Sequence, residues 1–275
     1  MDPSCPGGTI TCVREVRRLQ VVTHRDPAVA ARAVAELARL AEAHGIELLA
    51  EPVEAEKHPL LEQAADVVGQ GGGSGAAGGA DAVIVLAGDG TLMRALANVH
   101  PGTPVLGVNF GMLGFLSGAS HDQLELAVER LAAGRYRTTE LPSLDVDLAG
   151  RGRATAINDV VASGQTTGRV NEVGWRVTSI GGSGRRFVDE MGTVACDGMV
   201  IATPVGSTAY NLSNGGPVLA WRVQGTVVSF VAPHTLAARP LVVAPDDMGG
   251  GGAHGSWRAA RGARRRQPRG LAQAG

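Results

Sequence analysis

Cysteine is nearly absent from this chain. Cys5, Cys12 and Cys196 are odd in number and widely scattered, which excludes a disulfide framework and suits a reducing cytosol. There is no CxxC pair and no HExxH, so a zinc site has no support and no metal-ligating residues are expected. No apolar run approaches the roughly 20 residues that span a bilayer. The N-terminus, MDPSCPGGTITCVREVRR, has no apolar core of the kind a secretory signal needs. Charge imbalance is also lacking: 25 basic and 26 acidic side chains leave a formal net charge of −1, which argues against a nucleic-acid partner. Aromatics make up only 3%, whereas Gly and Ala are abundant. The apolar share is ordinary for a soluble protein. A chain of 275 residues is long enough for one large domain or two smaller ones.

Residues 1–17 read as an N-terminal extension. Leu19–Thr23 is a short β-prone run. A helix follows, with Asp26 as N-cap and Pro27 at its first position. Val29, Ala33, Leu37, Leu40 and Ala41 recur on one face at helical spacing, and Gly45 ends the helix before a strand at Ile46–Leu49. This strand–helix–strand unit predicts a parallel, Rossmann-like sheet. Residues 69–80, GQGGGSGAAGGA, read as a flexible loop. Asp81–Leu86 is nearly all apolar and β-branched, and reads as a strand buried on both faces. Next come a helix from about Leu92 to Asn98, a strand at Pro104–Val108, the turn Asn109-Phe-Gly-Met-Leu-Gly114, and a helix over 120–133 whose apolar set is Leu124, Leu126, Ala127, Val128 and Leu131.

Beyond about Leu141 helical periodicity fades. Short strands take over at 144–148, 156–162, 172–180, 199–202, 225–231 and 241–243. This spacing predicts a β-sandwich or a similar all-β domain. The expected organisation is an α/β domain over 18–140 and a β-rich domain over 141–247. Residues 248–275, rich in Gly, Ala and Arg and almost free of large apolar side chains, read as a disordered tail.

Gly88-Asp89-Gly90-Thr91 sits between a buried strand and a helix, where ligands bind in open α/β sheets. Glycines let a phosphate approach, and helix N-terminal amides favour anions. Asp89 repels anions, so it makes more sense as a general base or a metal-positioning group. Arg94 could reach a phosphate or a carboxylate. An Asp-Gly turn before a helix can also be only a turn. The pattern is neither a Walker A loop nor GxGxxG, since Met93 holds the third-glycine place. Asn158-Asp159 could read a ribose diol or an adenine edge, or form a turn. His234 reads as structural. Residues 203–217, Thr-Pro-Val-Gly-Ser-Thr-Ala-Tyr-Asn-Leu-Ser-Asn-Gly-Gly-Pro, offer a run of hydroxyls and amides around Tyr210, a ring that could stack on a base.

Four motifs make the chain resemble NAD kinases: Gly88-Asp-Gly-Thr91, Gly107-Val-Asn-Phe-Gly-Met-Leu-Gly-Phe-Leu116, Asn158-Asp-Val-Val161, and Cys196-Asp-Gly together with the 203–217 segment. The first is shared with diacylglycerol-type lipid kinases and phosphofructokinases; the long segment and the Asn-Phe-Gly-x-Leu-Gly-Phe turn are specific. The resemblance implies transfer of a terminal phosphoryl group from ATP or polyphosphate to the 2′-hydroxyl of the adenosine ribose of NAD. Asp89 would be the base, with Mg²⁺ neutralising charge. Gly90 and Arg94 would lie near phosphates, and Asn158 and Asp159 would read ribose and base. Arg169, Asp197, Thr208, Ala209, Tyr210, Asn211, Leu212 and Ser213 would line the dinucleotide pocket. The implied fold is an α/β domain followed by a β-sandwich, in a cytoplasmic homodimer or homotetramer.

Departures from the family are an Ala87 where glycine is usual, Asp159 in place of Glu, and Ala195 in place of a basic residue. The stretch from 248 replaces several further strands, so the resemblance implies a truncated sandwich with an uncovered edge. Two alternatives stand beside the kinase: a catalytically impaired dinucleotide-binding remnant, and a lipid kinase of the related superfamily.

Overall fold

Every residue of the strand Ala82–Leu86 is buried, and the first sheet is built around it. The structure is a computed structural model and describes residues 14–67, 79–100, 102–110, 116–148, 152–163, 171–180, 185–235, 237–244, 248–251, 255–260 and 270–273. The chain forms two compact units: Met1–Glu140 with Arg265–Gly275, and Leu141–Arg264.

In the first unit the sheet runs in the order Ala65–Val67, Glu47–Ala50, Arg18–Thr23, Ala82–Leu86, Pro104–Asn109, Gly270–Gln273, Arg137–Glu140, with Ala119–Ser120 also pairing Pro104–Asn109. All pairs are parallel except the last two strands of that order. The helix Pro27–His44 starts as its sequence dictates: the Asp26 side chain accepts from the Ala28 N–H, and Pro27 needs no partner for a missing donor. It ends at Gly45, whose φ of 63° favours glycine. Ala33, Leu37, Leu40 and Ala41 face the sheet together with Ala30 and Val34. Val29, expected on this face, is exposed, because it lies in the first turn beyond the sheet's cover. Leu126 is likewise exposed, whereas Leu124, Ala127, Val128 and Leu131 of the helix Leu124–Ala132 are buried against the same core.

The second unit holds two antiparallel sheets. One runs Asp159–Ser163, Gly198–Ala202, Thr226–Val231, Leu241–Val243. The other runs Arg186–Cys196, Asn171–Ile180, Met248–Gly251, Gly255–Ala260, Ser143–Leu148, Gly152–Ala156. Leu144, Val146, Trp175 and Val177 of the second sheet share one apolar cluster with Met199, Ile201, Val228 and Phe230 of the first. That shared core makes the unit sandwich-like.

The tail departs from expectation. Met248–Gly251 pairs with Asn171–Ile180, Gly255–Ala260 with Ser143–Leu148, and Gly270–Gln273 enters the first sheet. Strand pairing uses backbone donors and acceptors, so a glycine-rich segment joins a sheet without large apolar side chains. The sandwich edge expected to lie open is therefore occupied at those positions. The 69–80 loop falls almost wholly outside the described residues, as do Gly111 to Phe115 of the glycine-rich turn. Of the expected N-terminal extension, Val16 is buried and its N–H bonds the Leu131 carbonyl.

Candidate functional site

In the first unit the chain leaves the buried strand Ala82–Leu86, turns at Ala87-Gly88, and begins the helix Asp89–Asn98 with Gly88 as N-cap. The Thr91 and Leu92 N–H groups bond the Gly88 carbonyl, so the turn is fixed by its own backbone. Asp89 stands in the first helical turn, where the free amides favour a negative charge. The Ser117 hydroxyl donates to Asp89 Oδ1 at 3.2 Å. An added Cβ at Gly88 or at Gly90 would meet nothing within 4 Å. Among the described residues, none uses the space beside these two glycines. Gly107 is different: a Cβ there would come within 2.6 Å of Leu92 Cδ2, so this glycine lets the helix lie close on the sheet.

Arg94 is exposed, and its Nη2 donates to Thr91 Oγ1 at 3.2 Å. Both residues line a cavity of about 390 Å³ whose floor includes Gln20, Val22 and Val83 of the sheet. Its rim carries Arg25, Glu51 and Lys57. Gln20 is 2% exposed, and its Oε1 has no hydrogen-bond partner among the described residues. Its amide nitrogen makes only a long contact, 3.5 Å, to Glu51 Oε1. The rest of this side is held by buried Glu54. Glu54 accepts from the Thr23 N–H and hydroxyl at 3.1 and 2.6 Å and from Lys57 Nζ at 2.8 Å. His58 Nε2 lies 3.1 Å from Thr23 Oγ1. The Thr23 proton goes to Glu54, so His58 serves as the donor in that contact. Burial holds the His58 imidazole below its usual pKa, opposed by Glu54 and assisted by Lys57.

In the second unit the strand Gly198–Ala202 is buried throughout and pairs Asp159 with Ala202. The 203–217 segment leaves its end and folds back on Asn158. The Thr203 N–H bonds the Asn158 carbonyl at 2.8 Å, and the Thr203 hydroxyl donates to the Ile157 carbonyl at 2.7 Å. Gly206 sits so close to that Asn158 carbonyl that a Cβ would overlap it. The Asn158 Oδ1 is buried without a partner among the described residues. Asp159 is half-buried. Burial pushes its carboxyl above the usual range, and the Tyr210 backbone N–H pulls it partly back. That bond ties the Asn158-Asp159 pair to the short helix Tyr210–Ser213.

Many donors of the segment are already used. Asn211 is fully buried, and its Nδ2 donates to the Ser207 and Pro217 carbonyls, each at 3.0 Å. The Ser207 hydroxyl bonds Pro204 and accepts from Leu219, Thr208 bonds Val205, and Ser213 bonds Tyr210. A tight loop of small residues must satisfy its own carbonyls. What it presents outward is Tyr210 and Leu212, 43% and 48% exposed, with Ala209 partly covered between them and Thr208. Asp197 is exposed at the bend before Gly198, its N–H on the Val231 carbonyl. Arg169 lies outside the described residues.

Comparison with known sequences now decides the family. Residues 19–136 match the ATP-NAD kinase N-terminal domain, and residues 188–248 match the ATP-NAD kinase C-terminal domain. The chain belongs to the NAD kinase family. It is 41% identical over 172 residues to an NAD kinase of Gemmatimonas aurantiaca, covering 60% of this chain and 56% of that one. It is 40% identical over 183 residues to an NAD kinase of Thermobifida fusca, covering 63% and 53%. The chain thus spans little more than half the length of the curated relatives it matches. Among solved structures, yeast NADH kinase complexed with NADH is similar in fold, with TM-score 0.76, 16% identity and coverage of 98% of this chain and 88% of that one. An NAD kinase from Archaeoglobus fulgidus in complex with ATP gives TM-score 0.67, 20% identity and 92% coverage of each.

The Ala87 departure from the NAD kinase pattern is benign for the backbone. Ala232 is the only non-glycine residue with positive φ among the described residues, so the Ala87 methyl demands no left-handed conformation. Ala87 is buried and its N–H bonds the Val108 carbonyl. Sequence reading missed Gln20, Glu54, Lys57, His58 and Ser117. The one available signal was Gln20, a polar side chain inside an apolar strand run.

Proposed function

We propose that this member of the NAD kinase family transfers the terminal phosphoryl group of ATP to the 2′-hydroxyl of the adenosine ribose of NAD, giving NADP. The observation that carries this reading is the turn at Gly88–Thr91: one carboxylate at a helix N-terminus, flanked by two glycines beside unused space. Asp89 takes the proton of the ribose hydroxyl as the oxygen bonds to the terminal phosphorus, the bond from that phosphorus to the bridging β-phosphate oxygen breaks, and ADP leaves. Gly90 lets a phosphate come near the helix amides, and Arg94 neutralises its charge. On the second unit, Asn158, Asp159, Asp197 and the Thr208–Ser213 turn bind the dinucleotide, with Tyr210 stacking on a base. Arg169 belongs to the same set on resemblance alone. The NADH and ATP named in the two structural neighbours support a dinucleotide acceptor and a nucleotide donor.

The cavity beside Thr91 and Arg94 favours ATP over polyphosphate. It is large enough for a nucleoside, and the unpartnered Gln20 Oε1 is an acceptor for an amino group. Among the described residues no group of three or more His, Cys, Asp or Glu could hold a metal ion. The turn supplies one carboxylate, Asp89, beside the Ser117 hydroxyl. That donor set fits Mg²⁺, which keeps waters and substrate phosphates as most of its ligands. Magnesium would screen the charge of the donor phosphates. No described helix is long and apolar enough to cross a membrane. The scarcity of cysteine supports a cytoplasmic setting, and the family resemblance supports a homodimer or homotetramer.

The test is direct. The purified chain is incubated with NAD and Mg²⁺, with ATP in one arm and polyphosphate in another, and NADP is assayed. NADP from ATP alone is the expected result. NAD binding with no NADP in either arm favours a binding protein without turnover.

A further inference from the structure

The helix Pro52–Lys57 stands just past the carboxyl end of the parallel strand Glu47–Ala50, on the side where ligands bind in open α/β sheets. It carries a charge pair that the turn at Gly88–Thr91 does not use. The Lys57 ammonium lies 2.8 Å from Glu54 Oε1, and the two side chains are 20% and 8% exposed. Glu54 Oε2 accepts from the Thr23 N–H and hydroxyl, so the carboxylate is fixed from the strand Arg18–Thr23. Replacing such a covered pair by apolar side chains is often neutral or stabilising, so packing alone gives little reason for it. The donors of Lys57 give one. An ammonium has three N–H groups. Glu54 takes one, and Thr23 Oγ1, at 3.5 Å, is at most a weak second partner. At least one remains for a ligand in the cavity that Lys57 lines.

Two arginines line the same cavity from other elements. Arg25 follows the strand Arg18–Thr23 and is exposed, and its guanidinium has no ion-pair partner among the described residues. Arg94 comes from the helix Asp89–Asn98 and is held to Thr91. Against these cations the lining holds two carboxylates, Glu51 and Glu54, and Glu54 already accepts from Thr23 and Lys57. The surplus charge is positive, and it borders Thr91 of the Gly88–Thr91 turn. Charge-assisted bonds from such groups suit a chain of phosphates. We propose that Lys57 and Arg25 grip the phosphate chain of the donor, and that Glu54 is the positioning residue that holds Lys57 on it. The proposal rests on the reading of this cavity as the donor site. The chemistry recognised is the phosphate chain, whether it comes from ATP or from inorganic tripolyphosphate.

The experiment is calorimetric titration of the 275-residue chain with ATP, AMP and tripolyphosphate in the presence of Mg²⁺, with a melting curve for each variant. Lys57→Met and Arg25→Met each weaken ATP and tripolyphosphate binding by about tenfold or more, and AMP binding much less. A merely structural loss weakens ATP and AMP alike. The double variant Lys57→Met with Glu54→Gln leaves no unpaired carboxylate buried, so it folds and keeps the ATP defect. Glu54→Gln alone decides the positioning role. Removing a negative charge from the lining by itself tightens anion binding, whereas losing the hold on Lys57 weakens ATP binding severalfold. Tripolyphosphate binding as tight as that of ATP makes the inorganic chain the donor, with the same losses in the variants. Wild type that binds neither ligand, unchanged affinities in both Met variants, or equal losses for ATP and AMP overturns the grip. Unchanged or tighter ATP binding by Glu54→Gln overturns the positioning role. NADP formation, followed in parallel, reports on the catalytic reading separately: a chain that binds ATP in this way and makes no NADP sinks that reading alone.

Discussion

The Ser117 hydroxyl donates to Asp89 Oδ1 across 3.2 Å, linking two segments that meet only in the fold. This bond selects one orientation of the carboxylate. Asp89→Asn removes the base while keeping the shape, and turnover is expected to fall by about 10²–10⁴. NAD affinity, measured by calorimetry, should be unchanged. Ser117→Ala leaves the base in place but removes one bond that orients it. The expected result is a fall in kcat of less than about tenfold with the KM for NAD unchanged. If Asp89→Asn turns over at the wild-type rate, the general-base role is wrong.

Three glycines near this turn separate folding from function. Ala at Gly88 or Gly90 meets no protein atom within 4 Å. Neither position needs positive φ; Gly90→Ala, inside the helix, should melt slightly above wild type, and Gly88→Ala slightly below it, because alanine is a poorer N-cap than glycine. Their NADP formation should nevertheless collapse, because the methyl group occupies the space a phosphate would use. Ala at Gly107 presses on Leu92 instead. It should cost about 1–3 kcal/mol of stability. Thermal melts and NADP assays on the three variants give opposite rankings. Full activity in both turn variants would show that no ligand closely approaches the turn.

Asp159 makes stability depend on pH. Burial raises its carboxyl above the usual 3.8, so the folded chain holds the proton where the unfolded chain has lost it. Folding stability therefore declines as pH climbs from 3.8 through the raised value, and this residue has no effect on the slope at higher pH. Asp159→Asn retains an oxygen for the Tyr210 N–H and removes the buried charge. The variant should melt higher than wild type at neutral pH, with the gap closing in acid, and should bind NAD more weakly. Melting curves across that pH range decide the first point. An equal or lower melt at neutral pH refutes it.

Where side chains carried a clear period, the fold was legible. The run Asp81–Leu86 read as a doubly buried strand, and Asp26-Pro27 read as a helix start. Asp89 followed from its position after that strand. Arg186–Cys196 was unreadable because an edge strand exposed on both faces has no alternation to detect. The glycine-rich strands were missed for a related reason: backbone pairing leaves no mark in composition. Asn211 also closes its own loop through the Ser207 and Pro217 carbonyls, because loop carbonyls need donors and a sequence does not reveal which side chain they recruit. Glu54 and His58 gave no signal, since their meaning depends on meeting Thr23 across two chain turns.

The strand Gly270–Gln273 lies inside the first sheet, between Pro104–Asn109 and Arg137–Glu140. Those two neighbours leave the ribosome long before it does. During synthesis Pro104 and Val105 must therefore wait without their partner strand, and Arg137–Glu140 without a place in the sheet, until Gln273 has emerged. Ribosome-bound nascent chains should be protease-sensitive in this unit and should become resistant only once that residue has cleared the exit tunnel. A chaperone that shields open sheet edges would speed the yield of native protein, since the slow event is the closure of a contact so distant in sequence.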